Sequence, residues 1–331
     1  MRNREKGNGN KQQKAKQREQ RLMAIGGGLL CAAAFGIGSL TVLGVSGKYN
    51  LERHTENYAA ETMQSVQNIP VMSVKTEEQQ KGQIGYEGHN YRYNDDILTF
   101  LFMGIEKESN GEPVKEAQNG GRAAALFLLV LNSHQQTITV LPVNCGTMID
   151  IDVYDEQGIR EGMITAPVAI QHQFGDGGKK SCEYQVKAVS RLFYGIPVHG
   201  YLAVDMDGVL TVSDMLGGMD LNVLKDIRAG KRSPLEEFVN RAREMTKKDI
   251  SLLIKIFNKI SDRAVTDITV DEMAYVAVNT GGYHFDAGRI IAVPGKSIGQ
   301  ADNAGGGDDE FYADESALYQ LVLDIFYEPA D

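Results

Sequence analysis

Ile97 to Met103 is an apolar run that leads into Gly104-Ile105-Glu106, and the carboxylate at its end is the first side chain whose setting suggests chemistry. A strand that runs into glycine and then a carboxylate delivers that carboxylate to a strand-end crevice, where open α/β sheets bind ligands. The competing reading is a solvated loop glutamate. A second candidate is Gly175-Asp176-Gly177-Gly178-Lys179-Lys180-Ser181, just ahead of a helical stretch. A glycine-rich loop that opens a helix beside two lysines can offer backbone N–H groups to a phosphate. Its spacing is not that of a GxxxxGK[ST] loop, and the alternative is a plain turn with solvated lysines. The three cysteines, Cys31, Cys145 and Cys182, form no CxxC pair and have no histidine at ligand spacing, which excludes a structural zinc site. Cys31 lies in an apolar segment, so only Cys145 and Cys182 are candidates for a bridge, which requires Cα atoms within about 7 Å.

The elements that must position these groups centre on Gly120 to Ile151. Leu126 to Leu131 is unbroken apolar sequence, Thr137 to Val143 is rich in β-branched residues, and Ser133 to Gln136 between them is polar. This predicts a β-hairpin whose first strand is covered on both faces. Ile84 to Tyr86 and Tyr91 to Tyr93 flank Glu87-Gly88-His89-Asn90, a second hairpin. Asp150 to Gly162 reads as acidic and turn-rich, and Ala166 to Phe174 as a helix carrying Gln171 and His172. A further helix places Cys182, Val186, Val189 and Phe193 on one apolar face. His199 to Val204, Leu221 to Leu224 and Ile290 to Val293 read as strands. Asp207 to Leu216, Ile250 to Ile260 and Ser316 to Tyr327 read as helices. Capping boxes at Ser233-Pro234-Leu235-Glu236 and Thr269 to Glu272 open two more. The alternation of strands and helices predicts an α/β sheet with helices on both sides.

The formal charge of -10 conceals a division. Residues 1 to 21 hold eight Lys or Arg and two Glu, which leaves 26 basic against 42 acidic residues, a net of -16, in the remainder. Such a body repels nucleic acid, so no nucleic-acid partner is expected. Leu22 to Gly47 contains no charged residue. As a helix it would be roughly 39 Å long, enough to cross a hydrocarbon core of about 30 Å with tilt. The rival is a cleavable signal peptide, whose apolar region normally spans about 7 to 15 residues. The basic tail precedes the span and Glu52 and Glu56 follow it, so the positive-inside rule puts the N-terminus in the cytoplasm and everything after Lys48 outside. Ala24, Gly28, Ala32 and Gly36 form a small-residue stripe that would let two such helices approach, a candidate homodimer contact. The expected organisation is therefore a basic cytoplasmic tail at 1–21, a single transmembrane helix at 22–47, a polar stalk at 48–83 and an extracytoplasmic domain at 84–331.

The order of features resembles the LytR-CpsA-Psr family of cell-envelope proteins. DDILTFLFMGIE (Asp95 to Glu106) is similar to the family's first strand, GGRAAALFLLVLN (Gly120 to Asn132) to its second, and LPVNCGTMIDI (Leu141 to Ile151) to the run that usually contains Arg-Asp-Thr. AIQHQFGDGGKKSCEYQVKAVSRLFYGIPVHGY (Ala169 to Tyr201) resembles the helix pair and strand that follow. The resemblance implies a three-layer α/β/α sandwich with a central mixed sheet behind one N-terminal transmembrane helix. It also implies transfer of a glycopolymer from an undecaprenyl pyrophosphate carrier to peptidoglycan, with arginines on the pyrophosphate and aspartates on a magnesium ion.

Residue by residue, this chain departs from that pattern. The aspartate at the start of the second strand is Ala124, and the arginine and aspartate of the Arg-Asp-Thr run are Cys145 and Gly146, which leaves Thr147. Glu106 stands for the first-strand aspartate. The later Tyr-Val-Arg-x-Arg segment has no counterpart, Arg241-Ala242-Arg243 being the nearest string. Neither alanine nor glycine binds a metal through a side chain, so no cofactor is predicted, and the expectation is a non-catalytic member that binds a polyprenyl (pyro)phosphate carrier, a glycan or an active paralogue. The alternative is an active phosphotransferase using Glu106, Arg122, Asp176 and Arg241 as substitutes. Cys145 as a nucleophile lacks a recognisable base. Arg122 and His172 are the retained polar residues best placed for ligand contact, with Glu106 and Thr147 beside them; a surface charge and a satisfied helix histidine are the bland readings of the first two.

Overall fold

The computed structural model describes residues 50–51, 53, 83–106, 120–155, 157–218, 240–241, 244–245, 248–249, 251–280, 282–285, 287–298 and 310–330. The expected tail at 1–21, the span at 22–47, most of the stalk, the strand at 221–224, the capping box at 233–236 and the residues 242–243 lie outside them. Among the described residues no helix is long and apolar enough to cross a membrane. The chain divides into two compact units, Met1–Leu51 with Ile268–Asn279, and Glu52–Asp267 with Thr280–Asp331.

The larger unit begins with β1 (Gln83–Tyr86) and β2 (His89–Tyr93), the first expected hairpin. Its turn residues Glu87 and Gly88 sit at φ 49° and 86°, the left-handed pair that a two-residue hairpin turn requires. Next come β3 (Ile97–Glu106), β4 (Arg122–Asn132) and β5 (Thr137–Val143), then β6 (Met148–Tyr154) and β7 (Arg160–Pro167). A 3-10 helix, Val168–Phe174, leads to α1 (Lys179–Leu192), β8 (Gly200–Asp205), α2 (Met206–Met215), α3 (Ser251–Ile260) and β9 (Ala264–Thr266). In the smaller unit α4 (Val270–Thr280) opens on its capping box: Thr269 N–H donates to Glu272 Oε2 at 2.6 Å and Glu272 N–H to Thr269 Oγ1 at 3.5 Å. The larger unit resumes with β10 (Gly295–Ile298), β11 (Glu310–Ala313), α5 (Glu315–Phe326) and β12 (Tyr327–Pro329).

The central sheet has the order β5-β4-β3-β8-β9. β3 and β8 run parallel and every other neighbour is antiparallel, so the sheet is mixed. Its apolar runs have no polar alternation because both faces are covered. On one face Leu101, Leu126, Leu128, Leu141 and Tyr201 pack against Val168, against Cys182, Val186 and Val189 of α1, and against Leu318, Val322 and Phe326 of α5. On the other, Phe127, Leu129, Ile138 and Val140 meet Phe285 and Ile290. α2 lies close over β8 because Gly208 permits it: a Cβ there would stand only 2.5 Å from Val204. The fully buried Leu126 and Leu128 of β4 contribute about 2 kcal/mol each.

Three expectations about elements need correction. Asp150 to Gly162 belongs to a two-stranded ribbon, taking in most of β6 and the first three residues of β7, and Asp152 within it is neutralised by Arg160 Nε at 2.8 Å and Arg191 at 3.0 Å. The Gln171 amide meets both the N–H and the carbonyl of Asp152 at 2.8 Å. Ile290 to Val293 forms only an isolated bridge beside Val140, with Pro294 following at once. The helix at Ala166 to Phe174 is a 3-10 helix starting at Val168. Cys145 and Cys182 are both buried and both free thiols.

Candidate functional site

β3 and β8, being parallel, end side by side, and their last residues define one edge of the sheet. Glu106 lies directly across from Arg122, the first residue of β4, and Ile105 lies beside Asp205, the last residue of β8. Between Gly104 and Ile105 the register with β4 shifts: Gly104 faces Ala125, Ile105 faces Ala123, and Ala124 is the extra residue of a β-bulge. A bulge turns a side chain out of the ladder's alternation at the rim of a sheet. Here the side chain so placed is a methyl group, 8 % exposed.

Asp205 was not among the residues picked from sequence, although it shows the signal used for Glu106, a strand running into a carboxylate. Its Oδ1 caps α2 by accepting from Gly208 N–H at 2.8 Å, and Arg263 lies 3.4 Å from the same oxygen. Arg263 also pairs with Asp207 at 2.7 Å. The strand-end edge thus carries Glu106 beside Arg122 and Asp205 beside Arg263.

The turn Asn144-Cys145-Gly146-Thr147 is built inward. Asn144 Oδ1 accepts from Gly146 N–H at 2.8 Å, and the Asn144 carbonyl accepts from Thr147 N–H at 3.0 Å and from its hydroxyl at 2.5 Å. Cys145 and Thr147 are completely buried, and the Cys145 side chain belongs to the main apolar cluster. Outer contacts close the turn further: the Cys145 carbonyl accepts from Ala169 N–H, the Thr147 carbonyl from Val168 N–H at 2.7 Å, and the Gly146 carbonyl from Phe311 N–H of β11 at 2.9 Å. Thr147 is therefore held inside the fold.

His172 is 1 % exposed and ties three segments together. Its Nδ1 lies 3.0 Å from the carbonyl of Gly121, which can only accept, so Nδ1 carries the proton. Its Nε2 lies 3.8 Å from the Cys182 sulfur, and its backbone N–H donates to Gln185 Oε1 at 3.2 Å. Gly121 takes φ 71°, and a Cβ on Gly120 would fall 2.2 Å from the His172 carbonyl oxygen, so only glycines allow β4 to start here. Burial pushes the Cys182 thiol up to about 12.

The glycine-rich loop holds its own anion. Asp176 Oδ1 accepts from Gly178 N–H at 2.8 Å and from Ser181 N–H at 3.4 Å, and Ser181 Oγ accepts from Gly177 N–H at 2.8 Å. The place a phosphate would take at the start of α1 is filled by this carboxylate. Arg241 is held elsewhere, donating to the carbonyls of Gly217 and Gly218 beyond the C-terminal end of α2. The four substitute residues therefore do not converge: Glu106 and Arg122 share an edge, Asp176 caps α1, and Arg241 closes the far end of α2.

A magnesium site does not fit the residues present. Ala124 and Gly146 have no side-chain oxygen, and the buried Cys145 thiol is a soft donor where a hard cation takes oxygen. Among the described residues no group of three or more His, Cys, Asp or Glu is placed to hold a metal ion. What the edge does offer is the Arg122 guanidinium beside the Glu106 carboxylate, a residue type able to orient a phosphate ester.

The model of the LytR_cpsA_psr family matches residues 58–247, more than half of the chain. Among solved structures, TagV of Bacillus subtilis is 19 % identical, with 70 % of this chain and 97 % of that one covered at a TM-score of 0.49. A LytR-Csp2A-Psr enzyme from Actinomyces oris is 14 % identical over 70 % and 90 % of the two chains at 0.47. TagT, in a structure bound to LI-WTA, is 15 % identical over 77 % and 95 % at 0.45. No curated protein matches the sequence. The sequence match to the family is what carries the assignment.

Proposed function

Because this chain belongs to the LytR-CpsA-Psr family, we propose that it is a membrane-anchored, extracytoplasmic component of cell-wall glycopolymer assembly that binds a polyprenyl (pyro)phosphate carrier without catalysing transfer. The observation that carries this reading is the contrast between two parts of one sheet edge. Glu106 and Arg122 stand paired at the strand ends, while the turn at Cys145 and Gly146 is closed by burial and by Phe311. Phosphoryl transfer depends on electrostatic stabilisation of the departing phosphate, which in metal-dependent enzymes requires oxygen ligands around a cation. An arginine without such a cation binds the phosphate and supplies only part of that stabilisation.

The anchor in this reading is the charge-free segment 22–47, with the basic tail in the cytoplasm and the folded units outside. Self-association through the stripe from Ala24 to Gly36, or pairing with an active paralogue, belongs to the same reading. The test is mass spectrometry of lipid retained by the detergent-extracted full chain and by an Arg122→Ala variant. Recovery of a polyprenyl phosphate or pyrophosphate that falls in the variant is expected. Absence of such lipid from both overturns the carrier reading, and magnesium- or manganese-dependent release of phosphate from a lipid pyrophosphate overturns the non-catalytic one.

A further inference from the structure

The smaller unit is built from two distant pieces of sequence, the chain up to Leu51 and the segment Ile268–Asn279 that holds most of α4. They meet at a defined point. Asn50 Nδ2 donates to Asp271 Oδ2 at 3.1 Å across 221 residues of sequence, and Leu51 beside it is completely buried. Asn50 and Leu51 are themselves helical, and the charge-free segment 22–47 ends three residues before Asn50.

That spacing sets a height. Three residues span about 5 Å as a helix and about 10 Å at full extension. With the end of segment 22–47 at the outer boundary of the hydrocarbon core, Asn50 stands within about 10 Å of that boundary, and the polar headgroup layer of one leaflet is itself roughly 5 to 8 Å thick. Lys48 and Tyr49, in between, are residue types that anchor a span at this level. Asp271 touches Asn50 and so shares its height. On the membrane-anchored reading the first turn of α4 therefore lies at the headgroups.

The chemistry of α4 suits that place. Its two acidic side chains are engaged at its own first turn: Asp271 Oδ1 accepts from the Thr269 hydroxyl at 2.6 Å while Oδ2 accepts from Asn50, and the completely buried Glu272 accepts from Thr269 N–H. From Met273 to Thr280 no residue is charged. Residues four apart share a helix face, so Tyr275 stands one turn along from Asp271 on the side that meets Asn50. Asn279 follows one turn later, exposed, its amide bound to the Tyr275 carbonyl at 2.7 Å. Met273 and Tyr275 are half-buried and belong to neither apolar cluster of the larger unit. A tyrosine puts an apolar ring into the acyl boundary and a hydroxyl into the wet layer above it.

We infer that α4 is a second membrane contact: it lies along the outer surface of the bilayer with its Tyr275 face in the headgroup–acyl boundary, clamped to the end of the anchoring segment through Asn50 and Asp271. This rests on the membrane-anchored reading and goes beyond it. An anchor followed by a polar stalk only tethers what comes after it, whereas a helix seated at the same surface holds this unit against the membrane.

The chain has no tryptophan, so Tyr275→Trp introduces a single fluorophore on this face. The full-length variant is reconstituted in vesicles of phosphatidylethanolamine and phosphatidylglycerol, with and without lipid brominated in the upper or the lower half of its acyl chain. At an interfacial depth of about 5 to 10 Å, upper-chain bromines are expected to remove at least about half of the emission, lower-chain bromines much less, and aqueous iodide little. A parallel measurement on the unaltered chain covers a variant that misfolds. A photoreactive lipid with its diazirine near the headgroup is expected to leave adducts within residues 270–280, mapped by mass spectrometry. Full iodide quenching with no bromolipid effect, or adducts confined to the sequence before Asn50, overturns the inference. Emission shielded from both quenchers also overturns it, because protein, a second copy included, then covers this face. Flotation separates the inference from the reading beneath it. A chain that co-floats with the vesicles and resists carbonate extraction, yet shows no bromolipid quenching, refutes the α4 contact and spares the anchor; a chain that does not co-float refutes both.

Discussion

Replacing Cys145 by arginine, the residue type the family pattern carries at that position, tests whether the turn is a vacated site or a closed one. The Cys145 side chain has no solvent exposure and belongs to the cluster that includes Val143, Val168 and Cys182. Both flanks are fixed, since Asn144 holds the Gly146 N–H and Ala169 and Phe311 hold the Cys145 and Gly146 carbonyls. A guanidinium introduced here faces two costs. Overpacking a filled interior costs about 1 to 3 kcal/mol, and a buried unpaired charge adds several kcal/mol more. The sum, at least about 4 kcal/mol, is a large share of a typical stability of roughly 5 to 15 kcal/mol. Cys145→Ala, which removes one sulfur atom, should cost only about 1 kcal/mol. With no tryptophan in the chain, urea unfolding followed by far-ultraviolet circular dichroism is the assay. An arginine variant with an unchanged urea midpoint would refute the reasoning, because it would show that the turn opens freely to solvent.

Other perturbations separate the supports of the site. Asp152→Ala removes the partner of both Arg160 and Arg191 and should cost about 3 kcal/mol, whereas Arg160→Ala, whose side chain is 51 % exposed, should cost under about 1 kcal/mol; equal losses in urea unfolding would contradict the ion-pair assignment. Gly120→Ala should destabilise by about 2 kcal/mol or more because its methyl would meet the His172 carbonyl oxygen, and a neutral effect on the thermal midpoint would count against that contact. The Cys182 thiol, raised from 9.0 to about 12 mainly by burial, should resist thiol reagents at pH 8 until the chain is unfolded. Because its folded value lies above the unfolded one, its contribution to stability is complete below about pH 9 and is lost as pH rises towards 12; rapid native-state labelling at pH 8 would exclude this. Long-range proton–nitrogen NMR of the imidazoles should find His172 protonated at Nδ1 and His199, whose Nδ1 accepts from Thr99 N–H at 3.0 Å, protonated at Nε2; a shared tautomer would break one assignment.

Local signals in the sequence were enough to place the central hairpin, the apolar stripe of α1 and the capping box at Thr269, because each is written within a few residues of itself. The β6–β7 ribbon was misread for a physical reason. Its strand alternates Ile149, Ile151 and Val153 with Asp150 and Asp152, and the aspartates dominated a composition-based reading. What makes Asp152 tolerable inside is a pair of arginines eight and 39 residues away, which no local pattern shows. The same limit governs His172, whose ring partners are 51 and 10 residues distant. The glycine-rich loop around Asp176 has the composition of an anion site, yet a short polar side chain inside such a loop is also the natural acceptor for that loop's own N–H groups. The missed Asp205 shows the converse: the strand-then-carboxylate signal was present and was applied to only one of two strands.

The closed turn bears on why the framework persists. In a catalytic site, groups held ready for a ligand leave polar atoms and charges uncompensated, and that readiness costs stability. Here the polar groups of Asn144 to Thr147 find partners inside the protein: Asn144 accepts three hydrogen bonds, Thr147 donates two, and β11 takes the remaining Gly146 carbonyl. The bulge that in other circumstances would aim a functional side chain now presents the Ala124 methyl. In this chain the turn is satisfied internally and the bulge carries only a methyl group. Glu106 and Arg122 remain opposite each other at the strand ends, both partly buried, and the carrier contact proposed above is read at that edge.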